Sequence, residues 1–282
     1  MIESSRFTFL RKYDREFKIY ISQEMTKLNG RILQPPKLKL GNGGQVKDLT
    51  PCRQDRQWNF LDSHVVEGRS IARCALISFG GNAEQRSNVG KFIVGLAQRC
   101  SQLGISLSRS TIVHPRFEQM HILENANLLE AKLRKIYDNA SRNLDLLVCV
   151  MERKHRGYAD LKRICETSIG VVTQCCLYSH FYSLSSQYLA NLALKINAKV
   201  GGSTVALYNP LPRQLPRLFS EPAIFFGADV THPHPMDDKS PSIAAVVASI
   251  NWPAANKYVA RMRTQAHRKE IIEGLGRHKI ES

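Results

Sequence analysis

The sequence predicts an α/β chain built on an open, mainly parallel sheet, and three observations predict it. Strand-like and helix-like segments alternate from Ile71 onward. Leu146–Met151 is an unbroken apolar run, as a parallel strand covered on both faces requires. Gly80-Gly81-Asn82, Gly104 and Gly201-Gly202 punctuate the series. At 282 residues the chain can hold one large domain or two small ones with a full apolar core.

Residues 1–66 are the least domain-like part, with a basic start, a short alternating run at Phe17-Lys-Ile-Tyr-Ile, and breakers at Asn29-Gly30 and Pro35-Pro36; they read as a linker. Residues 71–79 form the first core strand. After the glycine turn, Val89, Phe92, Ile93, Leu96, Ala97, Cys100 and Leu103 recur at helical spacing until Gly104 stops them. Residues 110–113 read as a short strand. Ala126, Leu129, Leu133, Ile136 and Tyr137 mark a second amphipathic helix with Lys132, Arg134 and Lys135 on its outer face. Strand 146–151, helix 158–167, strand 171–177, helix 185–198 and strand 204–208 complete a Rossmann-like series. A proline-rich junction, Leu211-Pro212-Arg213 through Pro216 and Pro222, leads to strands at 223–226 and 243–250 and a third at 258–263, with Asp229 expected at the end of a central strand.

A balance of 40 Lys plus Arg against 24 Asp plus Glu, a formal charge of +16, favours a polyanionic partner such as nucleic acid. No run of about 18 apolar residues is present to span a bilayer, and no secretory signal is readable at the N-terminus. The seven cysteines, an odd number without Cys-x-x-Cys pairs, read as reduced and mostly buried thiols of a cytoplasmic or nuclear protein. A catalytic thiol at Cys175 or Cys176 is the alternative to a core role. His232 and His234 each adjoin a proline in a turn, and two histidines alone do not make a metal site. A dinucleotide enzyme is disfavoured because Gly80-Gly81-Asn82-Ala83-Glu84 lacks the G-x-G-x-x-G spacing and no Walker-type Gly-Lys-Ser/Thr occurs.

Helical spacing places Tyr158 and Lys162 one turn apart, and likewise Lys195 and Lys199. An anion between such lysines turns repulsion into charge-assisted hydrogen bonds, and an aromatic ring beside it offers a face for a stacked base. Gln174 and the basic loop Glu152, Arg153, Lys154, His155 and Arg156 stand near strand ends, where open α/β sheets bind ligands. The competing reading is a solvated basic face whose lysines complement a helix end.

Four stretches carry a family resemblance: Asp160-Leu-Lys-Arg-Ile-Cys-Glu-Thr, Gly170-Val-Val-Thr-Gln-Cys-Cys-Leu, Asn191-Leu-Ala-Leu-Lys-Ile-Asn-Ala-Lys-Val-Gly-Gly and Gly227-Ala-Asp-Val-Thr-His-Pro-His-Pro. Together they resemble the eukaryotic Argonautes. Met151-Glu-Arg-Lys-His-Arg-Gly-Tyr and Ser249-Ile-Asn-Trp-Pro resemble most closely the plant Argonaute-seven class.

The resemblance implies a linker over 1–66 following a PAZ domain, with Gln34-Pro35-Pro36 and Gln57-Trp58-Asn59 in the connector. A middle (MID) domain follows over 67–210 and the first strands of an RNase H-like Piwi domain over 211–282; a Piwi region can also be drawn from about 146. The chain is thus expected to begin in mid-protein and to end inside Piwi, its last residues, 274–282, lying outside the resemblance. The implied function is binding of the 5′-phosphorylated end of a small guide RNA in gene silencing, with target RNA and silencing-complex proteins as further partners and no membrane. By motif, Tyr158 stacks on the first guide base. Lys162, Gln174 and Lys199 grip the phosphate with Lys195 beside them, Cys175 lends its backbone amide, and residues 152–156 select the base. Asp229 matches the first of the family's metal-binding catalytic carboxylates. Glu270 and Glu273 match a helix of the family rather than its site, so Mg²⁺ is implied for the full-length family and no cofactor or cleavage for this form. Alternatives are a part of a complete slicer endoribonuclease, and an interaction protein that competes for Argonaute partners without binding RNA.

Overall fold

The computed structural model describes residues 24–30, 37–41, 47–49, 63–181, 184–207, 216–217, 220–252, 255 and 257–274. The predicted features at Phe17-Lys-Ile-Tyr-Ile, Gln34-Pro35-Pro36, Gln57-Trp58-Asn59, Leu211-Pro212-Arg213 and Cys52 lie outside these, as do Tyr208 and residues 275–282. The chain divides into two compact units, 1–35 and 36–282. In the first, residues 24–30 are exposed and irregular, and they contain Asn29-Gly30.

In the second unit the order is β1 (Leu38–Leu40), β2 (Lys47–Leu49), β3 (Ser70–Ile71), β4 (Cys74–Phe79), α1 (Ala83–Ser87), α2 (Val89–Gln102), β5 (Ser106–Leu107), β6 (Arg116–Glu118), α3 (Ala126–Asn139), β7 (Leu146–Met151), α4 (Tyr158–Arg163), β8 (Thr173–Leu177), α5 (Ser186–Lys199), β9 (Ala206–Leu207), β10 (Phe226–Thr231), β11 (Ser242–Ser249) and β12 (Tyr258–Gln265). Short 3-10 turns lie at Met120–Glu124 and Tyr178–Phe181, and a π-helical segment, Ile164–Ile169, prolongs α4.

The organising element is a four-stranded parallel sheet in the order β6-β4-β7-β8. β4 and β7 are buried along their whole length, which explains why their sequences are continuous rather than alternating apolar runs. The pleat still divides them. Cys74, Leu76, Val148 and Val150 pack on one face against α2 and α5, whereas Ala75, Ile77, Phe79, Leu147, Cys149 and Met151 pack on the other against α3, α4 and the π-helical segment. The apolar positions read from the α2 periodicity, including Leu103 just beyond its end, are all buried, as are Leu129, Leu133 and Ile136 of α3.

Several elements differ from the sequence expectation. The single strand expected over 71–79 is broken, because the Asp145 carboxylate accepts from the backbone N–H groups of both Ala72 and Arg73 at 3.0 and 2.9 Å and draws them out of the ladder. β3 pairs instead with β5. Residues 110–113 are irregular. The Ile112 amide does reach the Cys74 carbonyl at 2.9 Å, but regular pairing with β4 begins only at Arg116, after Pro115, which has no N–H to give. The strand expected over 204–208 does not extend the parallel series; β9 pairs antiparallel with β1 in a separate sheet ordered β2-β1-β9. β8 starts at Thr173 because the amides of Gly170 and Val171 are both held by the Cys165 carbonyl, with Gly170 in the left-handed conformation that ends the π-helical turn.

β10, β11 and β12 form an antiparallel sheet ordered β10-β11-β12. Asp229 therefore lies within an edge strand, opposite Ala245, and not at the end of a central one. Glu270 and Glu273, which by resemblance match a helix, lie in irregular chain after β12. The Gln265 side chain takes up the backbone carbonyls of Lys269 and Ile271, acceptors that a helix would have used itself.

Candidate nucleic-acid site

Four elements meet along β8. In the ladder with β7, the amide of Leu147 donates to the carbonyl of Val172, so the backbones of Val172, Gln174 and Cys176 face β7. Alternation turns those of Thr173, Cys175 and Leu177 to the open side, and two recorded contacts confirm the direction. Lys199 Nζ donates to the Thr173 carbonyl at 2.9 Å and the Gln174 side-chain amide donates to the Cys175 carbonyl at 2.7 Å. The Cys175 N–H accordingly faces the same open edge. Gln174, expected at the end of its strand, is instead the second residue of β8, so the site runs along the strand's free edge rather than beyond its carboxyl end.

α4 brings Tyr158 and Lys162 over this edge from one side, and the last turn of α5 brings Lys195 and Lys199 from the other. A cavity of about 510 Å³ between them is lined by Tyr158, Lys162, Gln174, Cys175, Lys195 and Lys199, the six residues singled out in the sequence. Tyr158 is 45% exposed, so it is open to a partner from solvent.

Two residues that sequence reasoning missed organise the cations. The Thr173 hydroxyl accepts from Lys162 Nζ at 2.7 Å while its carbonyl serves Lys199, which also donates to Gln174 Oε1 at 2.8 Å. Glu166, on the π-helical segment, forms an ion pair with Lys162. Its signal was in the sequence as a Lys-to-Glu spacing of four; Thr173 had none beyond its place before Gln174. The electrostatics are unequal. Burial lowers the Lys162 pKa, but hydrogen bonding and attraction from Glu166 more than offset it, and the net shift is upward. Lys199 is lowered, by burial first and then by the ammonium of Lys162. Among the described residues Cys175 is the one thiol shifted downward. Its contact with the Cys149 thiol contributes most, Lys162 and Lys199 add to it, and burial opposes them. Cys165, in contrast, is pushed up to about 12 by burial.

The basic loop divides by role. Lys154 and His155 line the cavity. Glu152 points away, accepting from the Gly81 amide at 2.9 Å, and ties the loop to the β4–α1 turn. His155 Nδ1 accepts from the Gly157 amide at 3.0 Å, which fixes the entry into α4. Gly157 is required there by space, since an added Cβ would lie 2.0 Å from the Leu123 carbonyl oxygen. Arg153 and Arg156 are exposed outside the cavity lining.

Asp229 is far from this constellation in kind as well as in strand. It is exposed on β10, and among the described residues no group of three His, Cys, Asp or Glu is placed to hold a metal ion. The described residues alone therefore do not assemble a site for the pair of Mg²⁺ ions that the resemblance implies for the family. His232 is engaged by Ser242 at 2.8 Å and Glu270 at 2.5 Å, a structural bracket between β10, β11 and the chain after β12. No helix among the described residues is long and apolar enough to cross a membrane.

Comparison with known proteins decides the family. The Piwi domain family matches residues 146–280. Argonaute 7 of Oryza sativa subsp. japonica is 63% identical over 265 residues, covering 93% of this chain and 25% of that protein. Argonaute 7 of Arabidopsis thaliana is 57% identical over 263 residues, with the same coverage of 93% and 25%. This chain belongs to the Argonaute family. Its fold superposes on Kluyveromyces polysporus Argonaute with a guide RNA, with a TM-score of 0.68 over 86% of this chain and 28% of that one; at 19% identity the likeness concerns fold alone. The parallel sheet is thus the Rossmann-like part and β10–β12 the RNase H-like part of an Argonaute lobe. The chain spans about a quarter of the length of these Argonaute 7 relatives.

Proposed function

We propose that the chain binds the 5′-phosphorylated end of a small guide RNA in RNA-mediated silencing. The observation that carries the reading is the convergence of Lys162 and Lys199 on Thr173 at the open edge of β8, with Tyr158 in the same cavity. Two ammonium groups, the Gln174 amide and the outward Cys175 N–H are donors suited to a terminal phosphate, with Lys195 adding charge at the rim. Tyr158 receives the first base on its ring, and Lys154 and His155 meet the edge of that base. The solved relative that holds a guide RNA shares this fold, which supports the same class of partner here.

In this reading the 282 residues bind without cutting. Asp229 alone does not place two ions, and target RNA cleavage with Mg²⁺ is what the resemblance implies for the full-length family. A linker over 1–66, a MID domain over 67–210 and a Piwi portion from 211 are the boundaries that go with it, and the reduced thiols suit the cytoplasm or nucleus. Because the relatives are about four times longer, the same site would serve as the guide-end pocket of a complete slicer wherever a longer form of the chain is made. The deciding experiment compares binding of 5′-phosphorylated and 5′-hydroxyl forms of one oligonucleotide. Tighter binding of the phosphorylated strand supports the reading, and equal binding overturns it.

A further inference from the structure

Lys162 stands between two cavities. On one side is the 510 Å³ cavity that holds Tyr158 and Cys175; on the other is one of about 310 Å³ lined by Glu166, Gly170 and Thr173, and both lysines, Lys162 and Lys199, border each. Glu166 borders only the second, and its carboxylate takes the Lys162 ammonium toward that side. Lys199 meets two neutral oxygens instead, so the two cations of one site are held in different ways. The pair spans the junction where α4 gives way to the π-helical turn, an irregularity that is rare in proteins and concentrated at functional sites. The Glu166 side chain is 54% exposed and so free to swing outward, whereas that of Lys162 is 22% exposed and remains between the cavities.

Resting on the proposed 5′-end reading, we propose that Glu166 is an internal competitor anion that a terminal phosphomonoester displaces from Lys162 and an internal phosphodiester does not. A carboxylate and a phosphodiester each carry one negative charge, so a diester gains little by displacing Glu166 from Lys162. A terminal phosphate carries about −1.5 to −2 at neutral pH and offers three oxygens, so it does displace the carboxylate. Glu166 therefore lowers the affinity most for the strand that must displace it, the one with the terminal phosphate, and tempers the preference of the site for that end. It acts by occupying Lys162 in the ligand-free site.

The test measures binding of one short RNA in 5′-phosphorylated and 5′-hydroxyl forms to the whole chain and to Glu166→Gln, which is close to isosteric. The 5′-phosphorylated strand should bind the variant about three- to tenfold more tightly, with a smaller gain for the 5′-hydroxyl strand, so that discrimination widens. Glu130→Gln, which removes an exposed carboxylate paired with Arg134 on α3, controls for net charge and should leave the ratio unchanged. Discrimination by the unaltered chain that Glu166→Gln leaves intact or narrows overturns the competitor role while the 5′-end reading stands. Discrimination absent from the unaltered chain overturns both. Widening by Glu130→Gln to the same extent assigns the effect to bulk charge and also overturns the proposal.

Discussion

Thr173 joins two cations through one residue: its hydroxyl accepts from Lys162 at 2.7 Å and its carbonyl accepts from Lys199 at 2.9 Å. The lysines arrive from helices far apart in sequence, and the strand between them sets their separation. Each bond to a charged phosphate is worth about 1.5 to 3 kcal/mol. Lys162→Ala or Lys199→Ala is therefore predicted to weaken binding of a 5′-phosphorylated strand about tenfold or more. Lys135→Ala on the outer face of α3 should change little. Equal losses in all three variants, read by fluorescence anisotropy at fixed salt, would point to diffuse charge attraction and end the pocket model.

Tyr158 makes a separable contribution. Stacking of a base on an aromatic ring is worth about 1 to 3 kcal/mol by alanine substitution. Tyr158→Ala is predicted to weaken binding whichever base comes first, and Tyr158→Phe to be nearly neutral. If Phe proves as damaging as Ala, the hydroxyl rather than the ring is the working group.

The depressed Lys199 pKa gives binding a direction in pH. A lowered folded-state value means that the charged lysine is disfavoured in the free protein, so stability rises as pH climbs through that value toward the ordinary 10.5. A bound phosphate reverses this preference, so binding takes up a proton on the alkaline side and affinity falls as the pH rises through that lowered value. On the acid side affinity falls again below about 6, where the terminal phosphate loses its second charge. Lys199→Arg keeps its charge throughout and should flatten the alkaline limb alone. An unchanged alkaline limb in that variant would assign the titration to another group.

Two glycines offer a paired test of stability. Gly157→Ala puts a Cβ against the Leu123 carbonyl, and overpacking of this kind costs about 1 to 3 kcal/mol. Gly90→Ala, inside α2 with nothing within 4 Å of the new methyl, should instead stabilise by about 0.5 to 1 kcal/mol. Thermal melts of the two variants should shift in opposite senses. A neutral Gly157→Ala would mean that the turn beneath α4 yields easily.

With Mg²⁺, guide and a fully paired target supplied, no site-specific cleavage is expected. One carboxylate holds Mg²⁺ weakly and places no second ion at the leaving oxygen. Mapping a labelled target is the check. A cut at one fixed distance from the guide's 5′ end, abolished by Asp229→Ala, would refute the noncatalytic reading.

What could be read from the sequence follows from how local each cause is. β7, α2 and α3 were legible because burial on one or two faces writes itself into the spacing of apolar residues. The split between β3 and β4 was not, because it is caused by Asp145, some seventy positions away. β9 was found as a strand but given the wrong neighbours, since its partner β1 lies in a stretch that reads as linker. In the site, the residues carried over by motif do share one cavity, yet their arrangement depends on Thr173 and Glu166. Neither has a distinctive pattern of its own. Asp229 was placed at a strand end because the strand was read over 223–226 with a loop rich in His, Pro and Asp after it, whereas the strand runs from Phe226 to Thr231.

The free edge of β8 has a second consequence. A strand with outward carbonyl and amide groups is a template on which a strand from another molecule can add, and proteins commonly guard such edges with lysine. Here Lys199 occupies the outward carbonyl at position 173 and the Gln174 side chain the one at 175, while the Lys162 stem crosses beside them. The side chains that wait for an anion are thus also the guard against self-association. Replacing both lysines by alanine would expose a sticky margin as well as abolish a ligand, and the doubly substituted chain should precipitate at concentrations where the single variants stay clear.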